Sequence, residues 1–91
     1  MNLPREMCTV EFFGLARARA GRAEIHVEAA TPRELLGAIE RACPRLAPLV
    51  QENRLHPSLL LSLDGTRFLI DLEEHLPSGS RILLLSADAG G

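Results

Sequence analysis

The feature that most constrains this chain is a single helix with a marked start and a marked stop. Thr31-Pro32-Arg33-Glu34 supplies a hydroxyl that can cap a helix, a proline suited to its first position, and a carboxylate that can reach back to complete a capping box. Leu35, Leu36, Ile39, Ala42 and Cys43 follow at spacings of three and four, forming one apolar stripe with Glu40 and Arg41 outside it. Pro44 ends the helix, because its ring clashes with the turn before it. The result is about three turns, by the rise per residue of a helix. A stripe of this kind must be covered by something apolar, and both flanking segments read as strands.

Before the helix, Cys8, Val10 and Phe12 alternate with Thr9 and Glu11, the period of a half-buried strand over residues 7–13, which Gly14 ends. Glu24 to Glu28 alternates again, with Ile25 and Val27 on one face, so the simplest arrangement is a first hairpin. The connecting segment Leu15 to Ala20 is alanine- and arginine-rich, which favours helix, but it is short and closed by Gly21, and it is read as a loop. After the helix, Leu46, Leu49 and Val50 form a short apolar satellite, and Gln51 to Pro57 is a polar loop. Leu59 to Leu63, Asp64-Gly65 and Arg67 to Ile70 make a second hairpin around a two-residue turn. Leu72 to Leu76 is one tight turn and Pro77-Ser78-Gly79 another. Arg81 to Ser86 is a nearly continuous apolar run, as expected of a central strand buried on both faces. The order strand, strand, helix, strand, strand, strand describes an α+β roll in which one helix covers one face of a mixed sheet.

With 91 residues there is room for one core only, since a domain takes roughly 100 to 200 residues. The net charge of -2 and 24% charged residues are too balanced for a polybasic nucleic-acid binder or a disordered tail. There is no run of 18 apolar residues to span a membrane and no apolar stretch behind Met1 to Arg5 to act as a secretory signal, so the expected location is the cytoplasm. Cys8 and Cys43 are too far apart for a CxxC pair, and both fit the apolar pattern as core residues. His26, His56 and His75 make no metal pattern, and no metal is expected. Asp71, Glu73 and Glu74 read as a solvated charged turn. Arg17, Arg19 and Arg22 form a local positive patch, suited to an acidic partner more than to nucleic acid because no aromatic residues interleave with it.

The last five residues, Ala87-Asp88-Ala89-Gly90-Gly91, follow the central strand and contain nothing large to bury. An exposed tail over 87–91 is therefore expected beyond a domain spanning 1–86. A Gly-Gly end can thread a narrow channel, having no Cβ atoms, and present its carboxylate to an active site. A carboxylate becomes a useful electrophile once joined to a nucleotide phosphate as an acyl adenylate, which a sulfur, oxygen or nitrogen nucleophile then attacks.

Taken in order, these segments resemble the MoaD/ThiS sulfur-carrier family of ubiquitin-like β-grasp proteins across nearly the whole chain. The matching stretches are Val10 to Arg17 with Ala20-Gly21, Thr31 to Leu36, Ala42 to Leu46, Asp64-Gly65, Leu76 to Gly79, and Gly90-Gly91. The resemblance implies a β-grasp roll with a mixed sheet of four to five strands, one main helix and a flexible Gly-Gly tail. It implies that a ubiquitin-activating-type adenylyltransferase spends ATP to adenylate Gly91, that a persulfide then supplies sulfur, and that the resulting thiocarboxylate donates it, most commonly in molybdopterin synthesis beside a large synthase subunit. The chain would be a protein co-substrate, not an enzyme, with no tightly bound cofactor. Two departures leave the acceptor open. Ser86-Ala87-Asp88-Ala89 stands where many molybdopterin synthase small subunits have two prolines and a hydrophobic residue, and Asn53 to His56 resembles an insertion of longer relatives that donate sulfur in cysteine synthesis or modify proteins.

Docking to an activating enzyme calls for an apolar surface near the reactive tail. The sheet face away from the helix is expected to expose parts of Leu61, Leu63, Phe68 and Leu83, with Ala87, Asp88 and Ala89 leading on from it. Finally, all ten cationic side chains are arginine and none is lysine. Compositional bias accounts for this on one reading. On another, a protein whose activated end acylates amines is thereby unable to form isopeptide bonds to its own copies.

Overall fold

The structure is a computed structural model that describes residues 7–52 and 54–87. Ten short elements follow one another: β1 (Met7–Phe12), α1 (Gly14–Ala20), β2 (Glu24–Glu28), α2 (Pro32–Ala42), a 3-10 turn (Pro44–Leu46), β3 (Val50–Gln51), β4 (Arg54–Leu55), β5 (Leu59–Leu63), β6 (Arg67–Phe68) and β7 (Arg81–Ser86). Five strands form one mixed sheet in the order β2-β1-β7-β5-β6, and β3 and β4 form a separate ribbon. The last strand in sequence is thus the central strand in space. It runs parallel to β1 and antiparallel to β5.

The helix boundaries follow from the local chemistry. The Glu34 N–H donates to Thr31 Oγ1 at 3.2 Å, while the Glu34 carboxylate accepts from the Ala30 N–H at 2.8 Å. The box therefore closes one residue earlier than the standard form, and it satisfies two backbone donors all the same. Along α2, Leu35, Leu36 and Ile39 have no exposed surface. They pack against the inward residues of the sheet: Val10 and Phe12 of β1, Ile25 of β2, Leu59 and Leu61 of β5, and Ile82 and Leu84 of β7. Ala42, expected in the stripe, is exposed, whereas Gly37 and Ala38 are buried.

Four local expectations are corrected. The Leu15 to Ala20 loop is the helix α1, whose Ala16 is fully buried. Gly21 closes this helix instead of replacing it: at φ 76° it occupies the left-handed C-terminal position, and its N–H donates to the Arg17 carbonyl at 3.0 Å. Leu46 and Val50 belong to the main core, so the satellite does not exist as a separate cluster. The loop after it contains the β3–β4 ribbon. Lastly, β7 is fully buried on one face only, because Leu83 and Leu85 remain half-exposed opposite Ile82 and Leu84. The second hairpin turns through Asp64 and Gly65, both at positive φ (55° and 74°), as the Asp-Gly pair requires.

The acidic turn is more than a solvated surface. Arg33 of α2 pairs with Glu73, and Arg67 of β6 pairs with Glu74. Backbone bonds from Arg33 N–H to the Leu72 carbonyl (3.0 Å) and from Leu76 N–H to the Ala30 carbonyl (2.8 Å) hold the same segment beneath the start of α2. This lays the long β6–β7 connection across the end of the core, where Leu76 is completely buried.

Candidate functional site

In a strand, residues paired across the sheet share a face, so the register assigns the surface directly. One row runs Glu24, Glu11, Leu83, Ser62, Phe68 across all five strands on the face away from α2. Beside it, Leu60 pairs with Leu85 on the same face. The β7, β5 and β6 half of this face is thus apolar apart from Ser62, which is only 5% exposed, with Leu60, Leu83 and Leu85 half-buried and Phe68 53% exposed. The β1 and β2 half is charged: Arg81 reaches Glu11 at 3.2 Å and Glu24 at 4.0 Å, and His26 bonds Thr9 Oγ1 through Nδ1 at 3.0 Å.

Phe68 and Leu83 therefore lie on the face where the sequence reading placed them, in one row with Ser62 between them. Leu61 does not. It pairs with Leu84 on the helix side and is 2% exposed, because the alternation of β5 assigns odd-numbered residues to the core. Leu63, paired with Ile82, lies on that inner side as well and is half-buried. The outward residues of β5 are Leu60 and Ser62. In an all-leucine strand the sequence carries no polar residue to mark the outer face except Ser62, and Ser62 is the residue that does mark it.

At the far end of β7 the chain is fixed in place up to Ala87. Leu59 pairs with Ser86, and the exposed Ala87 donates its N–H to the Ser58 carbonyl at 2.7 Å. Ser58 is itself held by His56: its N–H donates to His56 Nδ1 at 3.0 Å, and its hydroxyl lies 2.9 Å from the same nitrogen. On the other side Phe13 donates its N–H to the Leu84 carbonyl at 3.0 Å, and a Cβ on Gly14 would sit 3.7 Å from Ser86 Oγ. Phe13 and Leu15 are 42% and 44% exposed. They extend apolar surface to the point where the tail departs. The sequence reading did not identify this anchorage, since the signal for it, a lone serine after His56-Pro57, is shared by many loops. Asp88, Ala89, Gly90 and Gly91, the expected reactive end, lie outside the described residues.

The remaining candidates are placed as follows. Cys8 is 1% exposed and its thiol donates to the Ala29 carbonyl at 3.6 Å. Cys43 is 4% exposed, and burial pushes its thiol above the ordinary range, only partly offset by the nearby Arg22 charge. Among the described residues no group of three or more His, Cys, Asp or Glu side chains is arranged to hold a metal ion, and no helix is long and apolar enough to cross a membrane. Arg17 and Arg19 project from α1 into solvent, followed by Arg22.

No protein-family model matches the sequence, and no curated protein matches it. Solved structures do. The small archaeal modifier protein 1 of Haloferax volcanii superposes with a TM-score of 0.77 at 21% identity, over 93% of this chain and 99% of that one. A putative molybdopterin converting factor subunit 1 from Pyrococcus furiosus gives 0.70 at 17% identity, over 88% of this chain and 95% of that one. Urm1 from Trypanosoma brucei gives 0.64 at 16%, over 99% and 100%. With its mixed five-strand sheet, central final strand and two helices, the chain has the ubiquitin-like β-grasp fold that these proteins share.

Proposed function

We propose that the chain is a sulfur carrier whose reactive group is the Gly91 carboxylate. The observation that carries this reading is the way the fold leads to the Gly-Gly pair: the central strand is anchored on both sides up to Ala87, and the sequence runs on from it through Asp88-Ala89 to Gly90-Gly91. A rigid root and a slim end suit a group that must enter another protein's active site. In the proposed chemistry, a ubiquitin-activating-type adenylyltransferase joins the Gly91 carboxylate to the α-phosphate of ATP and releases pyrophosphate. The terminal sulfur of a persulfide then attacks the carbonyl carbon and displaces AMP. A thiol of the partner enzyme cleaves the resulting S–S bond, leaving a thiocarboxylate on Gly91 and a disulfide on the partner.

No side chain of this protein acts as acid or base in these steps, so its part is recognition. The apolar half of the outer sheet face, with Phe68 and Leu83, and the apolar residues at the tail root supply the contact area, while Ala87 meets the partner at the mouth of its channel and Asp88 and Ala89 enter it. Cofactor synthesis is the favoured destination of the sulfur, molybdopterin first, with this chain as the non-catalytic small subunit of a cytoplasmic synthase. The likeness to a protein described as a molybdopterin converting factor subunit supports it. The likeness to small archaeal modifier proteins supports a second reading, attachment to amines of target proteins through the same Gly91.

The test is adenylation. Incubation with α-phosphate-labelled ATP and extract of the source cell depleted of sulfur donors, so that the adenylate is not consumed, is expected to leave label on the full chain and none on a chain lacking Gly90 and Gly91. Equal labelling of both, or of neither, would overturn the reading.

A further inference from the structure

An acyl adenylate is attacked by any accessible nucleophile. A lysine amine or a cysteine thiol adds to the Gly91 carbonyl carbon, the C–O bond to the phosphate breaks, AMP leaves with the electron pair, and the nucleophile's proton passes to water. Neighbouring copies of the same chain are among the molecules such an end meets.

The protein presents almost none. It has no lysine and no tyrosine, and its two cysteines are both in the core, Cys8 at 1% and Cys43 at 4% exposure. Its cations are guanidinium groups, which stay protonated in proteins and offer no free lone pair. The three histidines leave no lasting product, since an acyl-imidazole hydrolyses in water. Nor does the fold demand arginine everywhere. Arg33, Arg67 and Arg81 hold carboxylates, a task for which the planar fork is suited. Among the described residues, however, Arg17, Arg19, Arg22, Arg41, Arg45 and Arg54 have no carboxylate within ion-pair distance, and at these positions a lysine would serve the fold equally.

We infer that the side chains of this protein are inert toward its own activated end: lysine is absent and both thiols are enclosed, so apart from the N-terminal amine the acyl group of Gly91 meets a ready nucleophile only on other kinds of molecule. This rests on the reading of Gly91 as the activated terminus. It adds that the chain is a terminal unit, which as a carrier is not lost to self-capture and as a modifier does not build chains upon itself.

The test makes the activated end chemically, so that it is independent of any activating enzyme. The chain is released from an intein fusion as the Gly91 thioester of 2-mercaptoethanesulfonate and incubated at high concentration in mild alkali. Products are followed by intact mass and by denaturing gels after hydroxylamine treatment, which spares amides. The native chain is expected to yield only thioester and hydrolysed acid. Arg17→Lys/Arg19→Lys, on the exposed side of α1, is expected to give at least tenfold more amide-linked dimer. Ala18→Cys, also exposed, is expected to give a hydroxylamine-sensitive dimer that native Cys8 and Cys43 do not give. Amide-linked dimer from the native chain at the rate of the lysine variant would overturn the inference. So would lysine and cysteine variants that stay monomeric. Failure of the sulfur-carrier reading appears separately, as absence of adenylate in the ATP experiment.

Discussion

Leu61 and Phe68 lie in the neighbouring strands β5 and β6 and were expected on one surface, yet the register sends them to opposite sides of the sheet, with measurable consequences. Leu61 is 2% exposed and sits across from Leu84, which has no exposed surface. Truncating a leucine in such a site removes its burial and leaves a cavity, costing about 3 to 5 kcal/mol. A domain of this size has roughly 5 to 13 kcal/mol in all, and each kcal/mol moves the melting temperature by about 4 to 8 °C. Leu61→Ala should therefore lower Tm by at least about 12 °C, whereas Phe68→Ala, at 53% exposure, should cost under about 1 kcal/mol. Because the chain has no tryptophan or tyrosine, unfolding is best followed by far-ultraviolet circular dichroism in urea. Equal losses from the two variants, or a Leu61→Ala cost below 1 kcal/mol, would refute the assignment of faces. Binding to the proposed activating enzyme should respond in the opposite order, Phe68→Ala weakening it at unchanged fold.

Further outcomes follow from the same geometry. Thr31→Ala removes the hydroxyl that caps α2 and should cost about 1 kcal/mol, read from the urea midpoint. Arg67 lowers the Glu74 carboxyl below its ordinary value, chiefly by hydrogen bonding. A carboxyl whose pKa is lower folded than unfolded stabilises the fold above the unfolded value, about pH 4, and loses that contribution as pH falls through the folded one. The Tm difference between the native chain and Glu74→Gln should accordingly shrink in acid; a difference that grows would contradict the pairing. Cys43 should resist iodoacetamide until the protein is unfolded, given its burial and raised pKa. Deleting Gly90 and Gly91 should leave Tm unchanged while abolishing sulfur transfer, and a large fall in Tm would show that the end is packed.

Much of the fold was legible because its strongest signals are local. Thr31, Pro32, Glu34 and Pro44 bound a helix through chemistry confined to a few residues, and Asp64-Gly65 fixes a turn by its backbone requirements alone. The central place of β7 was legible for a different reason, since Ile82 to Leu85 leave no polar position. That same uniformity concealed how β5 and β7 divide their leucines between two faces. Periodicity cannot assign a side in a run without polar residues, and the pairing with β1 decides it through Val10 and Phe12. The segment that forms α1 reads as a loop in the sequence because it is short and Gly21 closes it, although a glycine at that position is equally the mark of a helix end. The ion pairs of Arg33 and Arg67 with Glu73 and Glu74 join residues 40 and 7 positions apart, contacts that only the closed fold brings about. The anchorage of Ala87 on Ser58 is a contact of the same kind.

The chemical state of Gly91 decides whether the protein is a sulfur carrier. The direct measurement is the intact and fragment mass of the chain after incubation with ATP, a sulfur source and extract of its own cell, followed by alkylation with iodoacetamide. Alkylation is needed because sulfur in place of oxygen adds nominally the same mass as oxidation of Met1 or Met7, and only the thiocarboxylate takes up the reagent at the terminus. A sulfur carrier should show an ATP-dependent, alkylatable sulfur confined to the fragment ending in Gly91. A terminus that remains an unmodified carboxylate, with ATP, sulfur and extract all present, would contradict that role.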